Sequence, residues 1–126
     1  MNITIDIDSP RPLFTQLIEQ IKGGVLAGKL EPGAPVPSIR QLANDLNINN
    51  KTVAKAYRLL ERDSVIQPKG YRGTFIHAEA KTNCSVDLNG WVTATLSETI
   101  AEFKESGVTD SEIRIAFANI MSSRNN

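Results

Sequence analysis

Two apolar stripes at helical spacing stand almost back to back in mid-chain: Ile39, Leu42, Ala43 and Leu46, then Val53, Ala56, Tyr57 and Leu60. Each marks one face of a short amphipathic helix. Between them lies only Asn47-Ile48-Asn49-Asn50-Lys51-Thr52, a polar break rich in residues that cap helices or tolerate left-handed backbone. Helices this short do not hold together alone, and so tight a turn denies them a long antiparallel contact; they must cross steeply over a shared core. That is helix-turn-helix geometry. Ser38 offers an N-cap oxygen to the first helix, and Gln41 three residues later completes a capping box.

The flanks extend this unit. "NITIDI" alternates Ile3, Ile5 and Ile7 with polar residues, the period-two signature of a half-buried strand. A helix follows with Leu13, Phe14, Leu17, Ile18, Ile21 and Val25 on one face; Pro12 suits its first turn and Gly28 its stop. Gly23-Gly24 implies a bend or a close neighbour there. "LEPGAPVP" reads as a loop, since three prolines and a glycine deny the backbone a helical ladder. "SVIQP" and "GTFIH", joined through "KGYR", read as a β-hairpin bent at a glycine.

The expected fold is therefore mainly α with a small β-hairpin wing: a winged helix-turn-helix over residues 1–78. Residues 79–90 lack pattern and read as a linker. Residues 91–126 read as two helices. One carries Leu96, Ile100 and Phe103 and stops at Gly107; the other opens on a Thr109/Glu112 capping box and carries Ile113, Ala116, Phe117, Ile120 and Met121. Two such helices expose an apolar face they cannot cover alone, so this C-terminal segment is expected to dimerise through Leu96, Ile100, Phe103, Ile113, Phe117 and Ile120.

Composition removes other classes. With 126 residues the chain holds one modest core and a small appended piece. Cys84 and His77 are each the only residue of their kind, which rules out an internal disulfide or a cysteine-based metal cluster. No nucleophile–base pair, metal triad or phosphate-cradling loop is present, so neither catalysis nor a cofactor is expected. No apolar run approaches the roughly 18 residues a membrane span needs, and a cytoplasmic location follows as the expectation.

Formal charge is zero overall, yet residues 38–77 hold seven basic against three acidic side chains, a local +4. With Val53, Ala56, Tyr57 and Leu60 inward, the opposite face of the second helix shows Lys51, Thr52, Lys55, Arg58 and Arg62. Residues at the start of such a helix reach base edges in a major groove, where amides, hydroxyls and ammonium groups match the exposed donors and acceptors. Asn49, Asn50, Lys51 and Thr52 stand at that start. Arg40, in the first turn of the preceding helix, is placed for a phosphate or a guanine edge. Lys69, Gly70, Tyr71 and Arg72 put charge, a planar ring and a close-approaching backbone on the wing bend. The rival expectation is a winged-helix protein-interaction module that never meets nucleic acid.

Residues 10–77 resemble the DNA-binding domain of the GntR family of bacterial transcription regulators. The similarity is carried in order by the proline-rich "LEPGAPVP", Pro-Ser-x-Arg-x-Leu-Ala, a Thr-Val helix and a Gly-x-x-Gly-Thr-Phe wing. The short two-helix tail and "Asn-x-Thr-Val-x-x-Ala-Tyr" resemble the YtrA subfamily. The resemblance implies a homodimeric repressor of a transporter-type operon, bound to double-stranded operator DNA and lacking a large effector domain. It places contacts on Ser38, Arg40, Asn50, Thr52, Lys69 and Gly70. The chain departs from the family where Asn50 and Ala54 replace frequent arginines, Ile39 replaces an acid and "DSV" lacks a glycine. An unidentified small-molecule effector, in a pocket between the domains, is left open.

Overall fold

Apolar periodicity predicts five of the six helices described; the four-residue Ala80–Asn83 lies in the stretch read as a linker. In the computed structural model, which describes residues 1–85 and 87–123, the helices are α1 (Leu13–Leu26), α2 (Ile39–Leu46), α3 (Asn50–Arg62), α4 (Ala80–Asn83), α5 (Leu88–Glu105) and α6 (Asp110–Ser122). The strands are β1 (Pro35–Val36), β2 (Ile66–Pro68) and β3 (Thr74–Ile76), with a 3-10 turn at Gly70–Arg72. The chain divides into two compact units, residues 1–86 and 87–126.

In the first unit α1, α2 and α3 bury Leu17, Ile21, Leu42, Val53, Ala56 and Leu60 against Val65, Ile66 and Ile76 of the hairpin. Gly23-Gly24 does not break α1: a Cβ on Gly24 would meet the Leu30 side chain at 2.9 Å, so this glycine admits a neighbour. Four helices end in the same bonded turn, with Gly28, Asn47, Ser64 and Gly107 in the left-handed region. At the close of α3, Val65 N–H donates to the Leu60 carbonyl at 2.8 Å and Ser64 N–H to that of Glu61 at 3.0 Å. Where the resemblance calls for glycine, Ser64 holds φ 57°.

Three expectations are corrected. "NITIDI" forms no strand. Its backbone is held instead by two glutamines one turn apart on α1. Thr4 N–H donates to Gln20 Oε1 at 2.9 Å and Asp6 N–H to Gln16 Oε1 at 2.9 Å, while the Gln20 and Gln16 amide nitrogens donate back to the Thr4 and Asp6 carbonyls. Peptide groups at i and i+2 of an extended chain face one way and repeat at nearly one helical turn, so a Gln pair at i, i+4 satisfies them as a strand would. Ile3 and Ile5 lean on the core, while Ile7 is exposed.

Second, "LEPGAPVP" is not all loop. Pro35-Val36 pairs antiparallel with Phe75-Thr74, giving the sheet order β1-β3-β2. Pro35 and Pro68 both lie on edge strands, where a missing N–H breaks no ladder. The expected linker is also partly ordered: α4 packs Ala80 into the core of the first unit, and α5 begins at Leu88 rather than Trp91. Val86 in that linker and residues 124–126 of the expected tail lie outside the described residues.

In the second unit α5 and α6 meet through a turn at Gly107. Thr109 and Glu112 form the expected capping box: Glu112 N–H donates to Thr109 Oγ1 at 3.2 Å and Thr109 N–H to Glu112 Oε1 at 3.0 Å.

Candidate nucleic-acid interface

The turn between α2 and α3 is set by its asparagines. Asn47 closes α2 in the left-handed region, and Asn49 caps α3, its Oδ1 accepting from Lys51 N–H at 2.8 Å. The Asn49 side chain is thus engaged in the cap, whereas Asn50 and Lys51 open the helix with exposed side chains. Thr52 is half-buried. Ser38 caps α2 by accepting from Gln41 N–H at 3.1 Å. The return bond of the expected box, from the Gln41 amide, is not made among the described residues.

Tyr57 locks the crossing. Its ring is buried and its hydroxyl donates to the Pro37 carbonyl at 2.7 Å, tying α3 to the lead-in of α2. Burial pushes this phenol up to about 12, so it stays a donor throughout the neutral range.

With α3's apolar side inward, Lys51, Lys55, Arg58 and Arg62 form one exposed stripe at i, i+4, i+7 and i+11. These cations are not equivalent. Lys55 Nζ sits 3.9 Å from the centre of the Phe14 ring, and Lys69 Nζ 5.3 Å from that of Phe75. The Arg62 guanidinium grips Asp63 at 2.8 and 3.2 Å, and Asp63 also holds Lys22 at 3.0 Å. Burial pushes the Asp63 carboxyl up, but hydrogen bonds from Arg62 and Lys22 outweigh it and hold the group below its ordinary range. Among the described residues Arg40, Lys51, Arg58 and Arg72 are exposed and make no ion pair.

Arg58 is the cation the sequence reading left among the general basic face. No spacing separates it from Lys55 and Arg62 on the same stripe; it stands apart because Phe14 and Asp63 engage those two. On the wing, Lys69, Gly70, Tyr71 and Arg72 are all exposed, with Gly70 and Gly73 in the left-handed region.

In the second unit Leu96, Phe103, Phe117 and Ile120 are exposed, and Ile100 and Ile113 half-buried. All six line one groove of about 810 Å³. Among the described residues no helix is long and apolar enough to cross a membrane, and no cluster of His, Cys, Asp or Glu could hold a metal.

Residues 13–76, the segment just described from α1 to β3, match the model of the bacterial regulatory proteins of the gntR family. The chain belongs to the GntR family. Like other GntR-family members it is a DNA-binding transcription regulator and not an enzyme. It is YtrA-like: it is 37% identical over 106 residues to the HTH-type transcriptional repressor YtrA of Bacillus subtilis, spanning 84% of this chain and 82% of that one. The solved structure of the GntR-family factor YtrA from Sulfolobus acidocaldarius superposes with a TM-score of 0.58 at 31% identity, covering 98% of this GntR-family chain and 100% of the other. A structure described as a transcriptional antiterminator from Listeria monocytogenes gives a TM-score of 0.65 at 33% identity, over 98% and 91% of the two chains.

Proposed function

We propose that this GntR-family regulator is a cytoplasmic homodimeric repressor. It binds a double-stranded operator of two half-sites about one helical turn, roughly 34 Å, apart. The carrying observation is the set of unpaired cations, Arg40 opening α2, Lys51 and Arg58 along α3, and Arg72 at the wing. Cations kept out of local ion pairs are available to displace counterions from phosphate.

Asn50, Lys51 and Thr52 reach base edges in the major groove, and Arg40 and Ser38 meet the flanking backbone. Lys69, Gly70, Tyr71 and Arg72 serve the neighbouring groove. Asn49 acts through the cap that aims Asn50 and Lys51. Lys55 is a partial contact, since Phe14 holds its ammonium. The division is that of a winged-helix domain that takes in α4, a short connection and a dimerising pair that opens at Leu88. The name of the B. subtilis relative supports repression; the resemblance to its subfamily supports a transporter-type operon.

Gel-shift titration on the DNA upstream of the chain's own gene tests the reading. Expected is binding that weakens steeply between low and physiological salt. Salt-independent or absent binding, with capture of a protein partner that survives charge reversal at Lys51 and Lys55, would replace it with the interaction-module reading. Transporter genes beside the regulator's own would support the operon assignment.

A further inference from the structure

We propose that Tyr71 is a wedge: its ring enters the minor groove beside each half-site and leans into a base step, so that the flank is selected for deformability rather than by hydrogen bonds. This rests on the DNA-binding reading above and states what the wing does within it.

The tip is stiff. Arg72 N–H donates to the Lys69 carbonyl at 3.3 Å, Gly73 N–H to that of Gly70 at 3.1 Å, and Lys69 N–H to that of Gly73 at 2.8 Å. Gly70 and Gly73, at φ 62° and 105°, permit a turn this tight. Tyr71 stands at its apex, 96% exposed, with no partner for ring or hydroxyl among the described residues.

The other aromatic rings of this unit are accommodated: Tyr57 in the core, Phe14 beneath Lys55 and Phe75 beneath Lys69. A fully solvated ring on a rigid apex gains nothing for folding. Its surroundings identify what it meets. Residues 64–78 contain no carboxylate, while Lys69 and Arg72 flank the ring. That field draws a polyanion. Of its exposed neighbours Gln67, Pro68, Lys69, Gly70, Arg72 and Gly73, Pro68 alone has an apolar side chain, too little surface for the core of a protein interface. A single ring fits a minor groove about 6 Å wide, and its face stacks on any base, so it reads how readily a step opens. Pyrimidine–purine steps open most readily.

The test uses the full chain as wild type, Tyr71→Ala and Tyr71→Phe, each selecting from a pool of random duplexes. Binding is then measured on a selected duplex carrying 2-aminopurine at the flanking step. Wild type and Tyr71→Phe should enrich TA or CA steps there and brighten the probe. Tyr71→Ala should keep the half-site core sequence, lose the flank preference and the brightening, and bind about ten-fold more weakly. A Tyr71→Ala variant with the wild-type flank preference overturns the wedge and leaves the DNA reading standing. A wild type that selects no duplex overturns both.

Discussion

Ser64 occupies a backbone well that costs a side-chain-bearing residue about 1–2 kcal/mol, and it stays there because the turn over-determines it. The Asn83 amide donates to the Ser64 carbonyl at 2.8 Å, and Val65 and Ser64 donate back into α3. Ser64→Gly removes the strain but adds roughly 0.4–1 kcal/mol of chain entropy to the unfolded state. The net expectation is a gain of about 0.5–1 kcal/mol in urea denaturation at unchanged m-value; equal or lower stability would mean Ser64 is not strained. Asp63, one residue earlier, makes the opposite kind of prediction. Asp63→Asn gives up charge-assisted bonds to Lys22 and Arg62 and should cost about 2 kcal/mol at neutral pH. Because the folded group titrates below its unfolded value, its contribution is present at neutral pH and lost as pH falls through the lowered folded value. The gap between wild type and Asp63→Asn should therefore begin to narrow near the unfolded value of about pH 4 and close only below the lowered folded value. A gap that persists at low pH would assign the loss to packing instead.

At the scale of elements, the unpaired cations separate from the engaged ones by their salt dependence. Arg58→Ala should weaken every duplex alike and reduce the slope of log affinity against log salt by about 0.9, one phosphate's share. Lys55→Ala should reduce it by less and also loosen α3 on α1, because its ammonium covers Phe14. Equal slopes for the two variants would show that Lys55 leaves the ring when DNA arrives. This distinction was not legible in the sequence, which put Lys51, Lys55, Arg58 and Arg62 on one face without showing that Phe14 and Asp63 claim two of them. The helices were legible because burial imposes its period directly: Val53, Ala56, Tyr57 and Leu60 are all buried. "NITIDI" misled because alternation reports an extended backbone with two unlike faces and not the partner along its edge; Gln16 and Gln20 supply that partner from a helix. Pro35-Val36 escaped notice because its prolines signal a loop, and only its place on a sheet edge makes them harmless.

For the whole molecule the governing question is what covers α5 and α6. Phe117 and Ile120 are 50% and 71% exposed, an arrangement a short helical pair does not sustain in water without a second apolar surface. In the proposed homodimer a second copy supplies one, and it also doubles the DNA-binding units, which converts the second half-site contact into an intramolecular step. Ile120→Glu, alone and with Phe117→Glu, places charge on that surface at positions so exposed that the α5–α6 hairpin itself loses little. Sedimentation should show wild type as a dimer and the double variant as a monomer with its helical signal retained. Affinity for a two-half-site duplex should then fall about 100-fold or more, while affinity for an isolated half-site stays unchanged. The half-site control carries the argument, because a variant that had merely unfolded would lose both. Wild type sedimenting as a monomer at micromolar concentration, or a monomeric variant with full two-site affinity, would detach the C-terminal pair from operator recognition and leave each winged helix to act alone.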